Sequence, residues 1–131
     1  MSLNFSAVFS STPYLLEGLY VTLFNTGTSV VGGFVLGTLL TFCKLSSFIG
    51  ARFLASIYTS IFRGTPLILQ LSLIYYAGLA VTGYNIAVWQ AGVLSFSLNS
   101  AAYVSEIMRA GVQSIDRGQF EAALLWVFPA F

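Results

Sequence analysis

The chain has 131 residues, of which 57% are hydrophobic and 7% are charged, and its net charge is +1. Soluble domains carry about 25% charged residues, so a soluble protein of this length is excluded. The chain has no histidine and a single cysteine, which excludes a zinc site and His-based catalysis. With only five basic residues and no basic patch, nucleic acid binding is also excluded. We expect an all-α integral membrane protein without catalytic, metal or cofactor-binding residues.

Stretches without charges define the predicted membrane spans. A bilayer core needs about 20 apolar residues per helix, and Leu19–Phe42 is the first such span. Residues 64–105 then provide 42 positions without a charge, which as one helix would be about 63 Å long, twice the hydrocarbon thickness. Gly and Asn favour a turn at Thr82–Asn85. The turn divides this stretch into a second span, Thr65–Val81, and a third, Ile86–Ser105.

Three spans place all five cations on the same side of the membrane. The positive-inside rule identifies that side as the cytoplasm. The N-terminus and the Thr82–Asn85 turn therefore lie outside, and the C-terminus lies in the cytoplasm. The cations are Lys44, Arg52, Arg63, Arg109 and Arg117.

Small residues recur every four positions along the first span, at Ser29, Gly33, Gly37 and Thr41. Such a stripe lets two helix backbones approach closely in lipid. The stripe is typical of packing within one chain, and the rarer alternative is a contact between two subunits.

The second span begins in a region with two interpretations. Residues 53–62 either extend the span as a helix kinked at Pro66, or lie along the membrane interface. Gln70 lies two turns into the span, where an unpaired amide is costly. Its amide either forms an interhelical hydrogen bond or lines a polar path.

Polar side chains follow one face at the end of the third span. Asn99, Tyr103 and Glu106 are spaced by four and three residues, as on one helix face. Glu106 lies at the predicted depth of Arg63, and it also stands three residues before Arg109. Glu106 can form an ion pair with either arginine. Such a pair either holds the helices together or takes part directly in substrate transport.

A short helix is predicted near the C-terminus, over residues 116–128. Asp116 suits the start of a helix, and apolar residues then recur at helical spacing. Such a helix either docks into a groove on a partner or lies on the bilayer.

Three segments, RGTPLILQL, SLNSAAYVSEIMRAGVQSI and RGQFEAA, together resemble the permease subunits of ABC importers. More narrowly, they resemble the polar amino acid permeases of the histidine, glutamine and arginine type. The segments EGLYVTL and FLASIYTSIFRGTPL fit the same pattern, so the resemblance extends from Glu17 to Ala123. It implies a multi-pass protein of the bacterial inner membrane that is not an enzyme.

The resemblance also implies partners. Permease subunits pair as homodimers or heterodimers in membrane lipid around a path for an amino acid substrate. A substrate-binding protein outside the cytoplasm delivers the amino acid, and two ATPase subunits in the cytoplasm consume ATP. The Glu-Ala-Ala motif forms a coupling helix that fits a cleft on the ATPase. In this sequence, the motif corresponds to Gly118, Glu121, Ala122 and Ala123.

Depth and helix face, rather than the resemblance, select candidates for the translocation path or its gate. They are Arg63, Thr65, Pro66, Gln70, Asn99, Tyr103 and Glu106.

The sequence departs from the family pattern after about Ala123. The family has Gly four residues after the second Ala of the motif and then two further spans, whereas Val127 stands at this position. Members of this type have about five spans, and only three are predicted here. We therefore expect one incomplete permease domain over 1–131, truncated at its C-terminus. The alternative is an inactive permease remnant, or a small membrane protein that associates through its helices.

Overall fold

The computed structural model describes residues 11–83, 85–116, 118–119 and 121–123. Over these residues the chain is helical and contains no strand. Its long helices, in chain order, are α1 (Thr12–Leu45), α2 (Ile49–Gly64), α3 (Leu67–Thr82) and α4 (Val88–Gln113).

Helix α1 contains 34 residues and is about 51 Å long. Pro13 lies in its first turn, where the missing N–H does not remove a hydrogen bond. Threonine hydroxyls along α1 donate to the carbonyl four residues earlier, as Thr22 does to Gly18 at 2.8 Å. Such bonds matter in a bilayer because lipid offers a hydroxyl no other partner.

The chain bends sharply between α2 and α3. Thr65 is extended, with φ −113° and ψ 141°, as expected for a residue that precedes proline. Pro66 follows, and the axis of α2 lies 105° from that of Leu67–Gly78. A bend of this size separates two helices instead of kinking one. The position of residues 53–62 relative to the membrane stays a prediction.

The chain reverses between α3 and α4 within the predicted turn. Gly83 adopts φ 68°, a left-handed conformation that glycine adopts without strain. The first turn of α4 is capped by the Gln90 side chain, whose Oε1 accepts from the Ala87 N–H at 3.1 Å.

The main interhelical interface joins α1 and α4. A Cβ placed on Gly33 would lie 2.6 Å from Ser100 Cβ, and one on Gly37 would lie 2.7 Å from Val104 Cβ. The two backbones are therefore as close as glycine permits. The small-residue stripe is buried within the chain, as in the first of its two interpretations. Its buried members on α1 are Ser29, Gly33, Gly37 and Thr41, and α4 contributes Ser97, Ala101 and Ser105.

Among the described helices, α1 alone is long and apolar enough to cross a membrane by itself. Helices α2 and α3 pass the same test only as one broken span. Helix α4 contains 26 residues, but Gln90, Asn99 and four serines lower its hydropathy. The three spans and their bounds stay a prediction.

Candidate functional site

A carboxylate between two cations lies where the C-terminal parts of α1 and α4 meet. Glu106 Oε1 accepts from Lys44 Nζ at 2.5 Å, and Glu106 Oε2 lies 2.9 Å from Arg109 Nη2. The Lys44 side chain is 3% exposed, whereas the side chains of Glu106 and Arg109 are 24% and 37% exposed. Lys44 is therefore the buried member of this ion-pair cluster. Its buried charge depends on the partners that surround it.

Two hydroxyls complete the surroundings of the Lys44 ammonium. Its Nζ donates to Thr59 Oγ1 at 2.9 Å and to Ser105 Oγ at 3.4 Å. Together with Glu106, these acceptors use all three N–H donors of the ammonium. A buried charge is tolerated when it is both paired and hydrogen-bonded. The cluster thus fastens α1 to α2 and α4.

The structure distinguishes between the two partners considered for Glu106. The Arg109 pair, three residues apart, forms as one of the alternatives predicts. The pair with Arg63 does not form. Sequence reasoning missed Lys44, which lies 62 positions from Glu106. A cation just after the first predicted span was the available signal, but the burial of Lys44 depends on how α2 and α4 pack against α1.

Arg63 instead lies over an aromatic ring. Its guanidinium carbon is 5.3 Å from the centroid of the Tyr103 ring, within the range of a cation–π contact. Tyr103 is 44% exposed, and Arg63 is also exposed. These two candidate path residues therefore stand together on an exposed surface of α2 and α4, and neither is a member of the ion-pair cluster.

An amide pair closes the break between α2 and α3. Gln70 Nε2 donates to the carbonyl of Phe62 at 2.9 Å and to Thr65 Oγ1 at 2.8 Å. Asn99 Nδ2 donates to Gln70 Oε1 at 3.2 Å and to the same Phe62 carbonyl at 3.2 Å. The Phe62 carbonyl, which loses its helical donor because Pro66 has no N–H, is thereby satisfied by side-chain amides.

Gln70 thus forms the interhelical hydrogen bond that one interpretation predicts. It also borders a shallow, mainly apolar cavity of about 190 Å³, together with Phe62, Thr65 and Leu69. The candidate path residues Thr65, Pro66, Gln70 and Asn99 are brought together at this break.

The predicted C-terminal helix is described only in part. Residues 118–119 and 121–123 are helical and exposed, and the remaining residues of 116–128 after Asp116 lie outside the described part. Asp116 Oδ1 accepts from the Gly118 N–H at 2.8 Å, which is the side-chain cap expected at a helix start. Glu121, Ala122 and Ala123 therefore stand on an exposed helical turn that follows α4 directly.

Two buried polar atoms between α1 and α4 were not selected as site atoms from the sequence. Asn25 Oδ1 and Ser29 Oγ have no hydrogen-bond partner among the described residues. A Cβ on Gly92 would come within 3.3 Å of Asn25 Oδ1, so α4 packs close to this amide. Their spacing of four residues on α1 was the available signal.

The sequence of this chain matches a known protein family. Residues 29–126 match the family described as binding-protein-dependent transport system inner membrane components. The matched residues include the stripe on α1, the break at Pro66, the ion-pair cluster and the exposed turn. The chain belongs to this family. The family consists of membrane permeases of ABC transporters, not of enzymes.

Individual relatives of this permease-family chain are named for amino acid transport. The arginine transport system permease protein ArtQ of Bacillus subtilis is 48% identical, and the match covers 95% of this chain and 57% of ArtQ. The glutamate/aspartate import permease protein GltK of Escherichia coli is 41% identical, and the match covers 92% of this chain and 57% of GltK.

A solved structure shows that the fold is also shared. The crystal structure of an amino acid ABC transporter with histidines matches with a TM-score of 0.86 and 43% identity. The match covers 94% of this permease-family chain and 57% of the solved chain. The chain therefore spans somewhat more than half the length of the relatives that it matches, and the resemblance to polar amino acid permeases is confirmed.

Proposed function

We propose that the chain acts as a permease subunit of an ATP-driven amino acid importer. The exposed, capped helical turn at Gly118 and Glu121–Ala123 carries this proposal, because it lies within the family-matched residues and offers its side chains to a partner. The partner is a cytoplasmic ATPase subunit. Relatives named for arginine and for glutamate/aspartate transport support an amino acid as the substrate class.

The exposed turn is close enough in sequence to α4 to transmit a force from a partner to the helices. It follows α4 after only four residues, 114–117, and α4 is fastened to α1 and α2 through the Lys44 cluster. A partner that pushes on the turn would therefore move α4 together with α1 instead of bending α4 alone. Allosteric coupling requires an element of this kind, which both sites can bias.

We assign the translocation path to the α2–α4 side of the chain. The Arg63–Tyr103 pair and the Gln70–Asn99 pair supply polar groups there, and a second permease subunit would close the path from the opposite side. A substrate-binding protein would deliver the amino acid at the face opposite the exposed turn.

Co-purification with an ATPase tests the docking site. We expect the full chain in detergent to retain the ATPase subunit of an amino acid importer from the same organism. Glu121→Ala should lower the affinity by about tenfold, a typical effect for a central interface residue. Gly118→Pro should have a similar effect, because proline lacks the N–H that donates to Asp116.

Glu17→Ala is the matched control, because it removes an exposed glutamate that we place on the other side of the membrane. It should retain the ATPase like the unmodified chain. If both variants of the turn bind as tightly as the control, the ATPase docks elsewhere. If the unmodified chain retains no ATPase, the docking proposal is wrong, and an inactive remnant or a helix-associating membrane protein becomes the better account.

A further inference from the structure

A polar depression lies beside the ion-pair cluster, between α2 and the last turns of α4. Its volume is about 260 Å³. Three cations and one carboxylate line it, so its walls have an excess of two positive charges. The lining residues are Lys44, Arg52, Ser56, Glu106, Arg109 and Gln113.

The excess charge resides on the arginines. Lys44 already uses its three N–H donors inside the cluster. Arg109 is held by Glu106 and by Gln113, whose Oε1 accepts from Nη1 at 2.6 Å. Arg52 is exposed and has no ion pair or hydrogen bond with its side chain among the described residues. Two like charges that share one depression repel each other, and a bound anion would relieve that repulsion.

The surface of α2 next to the depression is apolar. Phe53, Leu54, Ile57 and Ile61 are between 40% and 67% exposed, whereas Arg52 and Ser56, one turn apart, line the depression. An amphipathic helix with this division lies at a membrane interface, with its apolar face among the acyl chains. The anion that meets both surfaces is therefore itself amphiphilic.

We propose that the depression binds the headgroup phosphate of an anionic phospholipid. The guanidinium groups of Arg52 and Arg109 and the hydroxyl of Ser56 face the phosphate, and the acyl chains lie along Phe53 and Ile57. Arginine suits this role because its planar fork of donors matches phosphate oxygens. The proposal requires the membrane location of the family but does not require transport or ATPase docking.

Native mass spectrometry of the full chain in detergent tests the proposal. We expect phosphatidylglycerol to be retained in preference to phosphatidylcholine with the same acyl chains. Arg52→Gln should weaken phosphatidylglycerol binding by about fivefold, the effect of one arginine near an anionic surface. Ser56→Phe should weaken it without changing charge, because the ring would occupy the depression. Inorganic phosphate should not compete, since it lacks acyl chains.

Arg63→Gln is the matched control, because it removes one exposed positive charge from the same helix at a position outside the depression. It should change phosphatidylglycerol binding by less than about twofold. Equal retention of the two lipids by the unmodified chain would overturn the proposal. So would equal weakening by Arg52→Gln and Arg63→Gln, which would indicate general attraction to charge. Competition by inorganic phosphate would indicate a soluble anion as the ligand, and would overturn the assignment to lipid.

Discussion

Glu106→Gln is expected to destabilise the helix bundle by about 3 kcal/mol, as when one partner of a buried ion pair is removed. The variant keeps the shape of the side chain but leaves the Lys44 ammonium, which is 3% exposed, without a counter-charge. Only neutral acceptors then remain, namely the hydroxyls of Thr59 and Ser105 and the amide oxygen of the introduced glutamine. The free energy of unfolding in mixed micelles, followed by far-UV circular dichroism, measures the loss.

Two comparison variants separate a stranded charge from general damage. Lys44→Met should cost only about 1.5 kcal/mol, because Glu106 is partly exposed and keeps Arg109 as its partner. The double variant Lys44→Met/Glu106→Gln should be about as stable as Lys44→Met alone, since no buried ammonium remains. A double variant less stable than Glu106→Gln alone would contradict this account of the cluster.

Gly33→Leu is expected to disrupt the α1–α4 interface. Even a Cβ at this position would lie 2.6 Å from Ser100 Cβ and 3.3 Å from the carbonyl oxygen of Ser97. Overpacking of a tight interface costs about 1–3 kcal/mol. Leucine should exceed that range, because backbone atoms of α4 must move. The expected result is loss of the cooperative unfolding transition. Gly33→Ala should destabilise the same interface to a smaller extent.

Gly27→Leu is the matched control on the same helix. A Cβ on Gly27 meets no atom within 4 Å, and leucine is the better helix former by about 0.5–1 kcal/mol. This variant should be as stable as the unmodified chain or slightly more so. Equal stability of the Gly27 and Gly33 variants would contradict close packing at the stripe.

Local patterns predicted much of the arrangement. The stripe on α1 indicated a close helix contact, Pro66 indicated a kink as one of two interpretations, and the i, i+3 spacing gave Arg109 as one of two partners for Glu106. These features depend on residues near one another in the sequence, where backbone geometry fixes which side chains meet.

The remaining contacts depend on packing between distant segments. Lys44 reaches Glu106 because α1 and α4 approach closely, and Arg63 reaches Tyr103 because α2 packs against α4. A proline predicts a break but not its angle. Arg63 and Glu106 were predicted to lie at a similar depth in the membrane. Depth alone does not show which neighbours a side chain contacts, and these two contact different ones.

The central claim requires the exposed turn at Glu121–Ala123 to face the cytoplasm, where an ATPase can reach it. Single cysteines at Asn85 and Gln119, in a Cys43→Ala background, test this orientation. A membrane-impermeant maleimide is added to spheroplasts or protoplasts whose cytoplasmic membrane is intact. We expect Asn85→Cys to be labelled from outside and Gln119→Cys to be labelled only after the membrane is permeabilised. Labelling of Gln119→Cys in the intact membrane would place the turn outside and contradict ATPase docking.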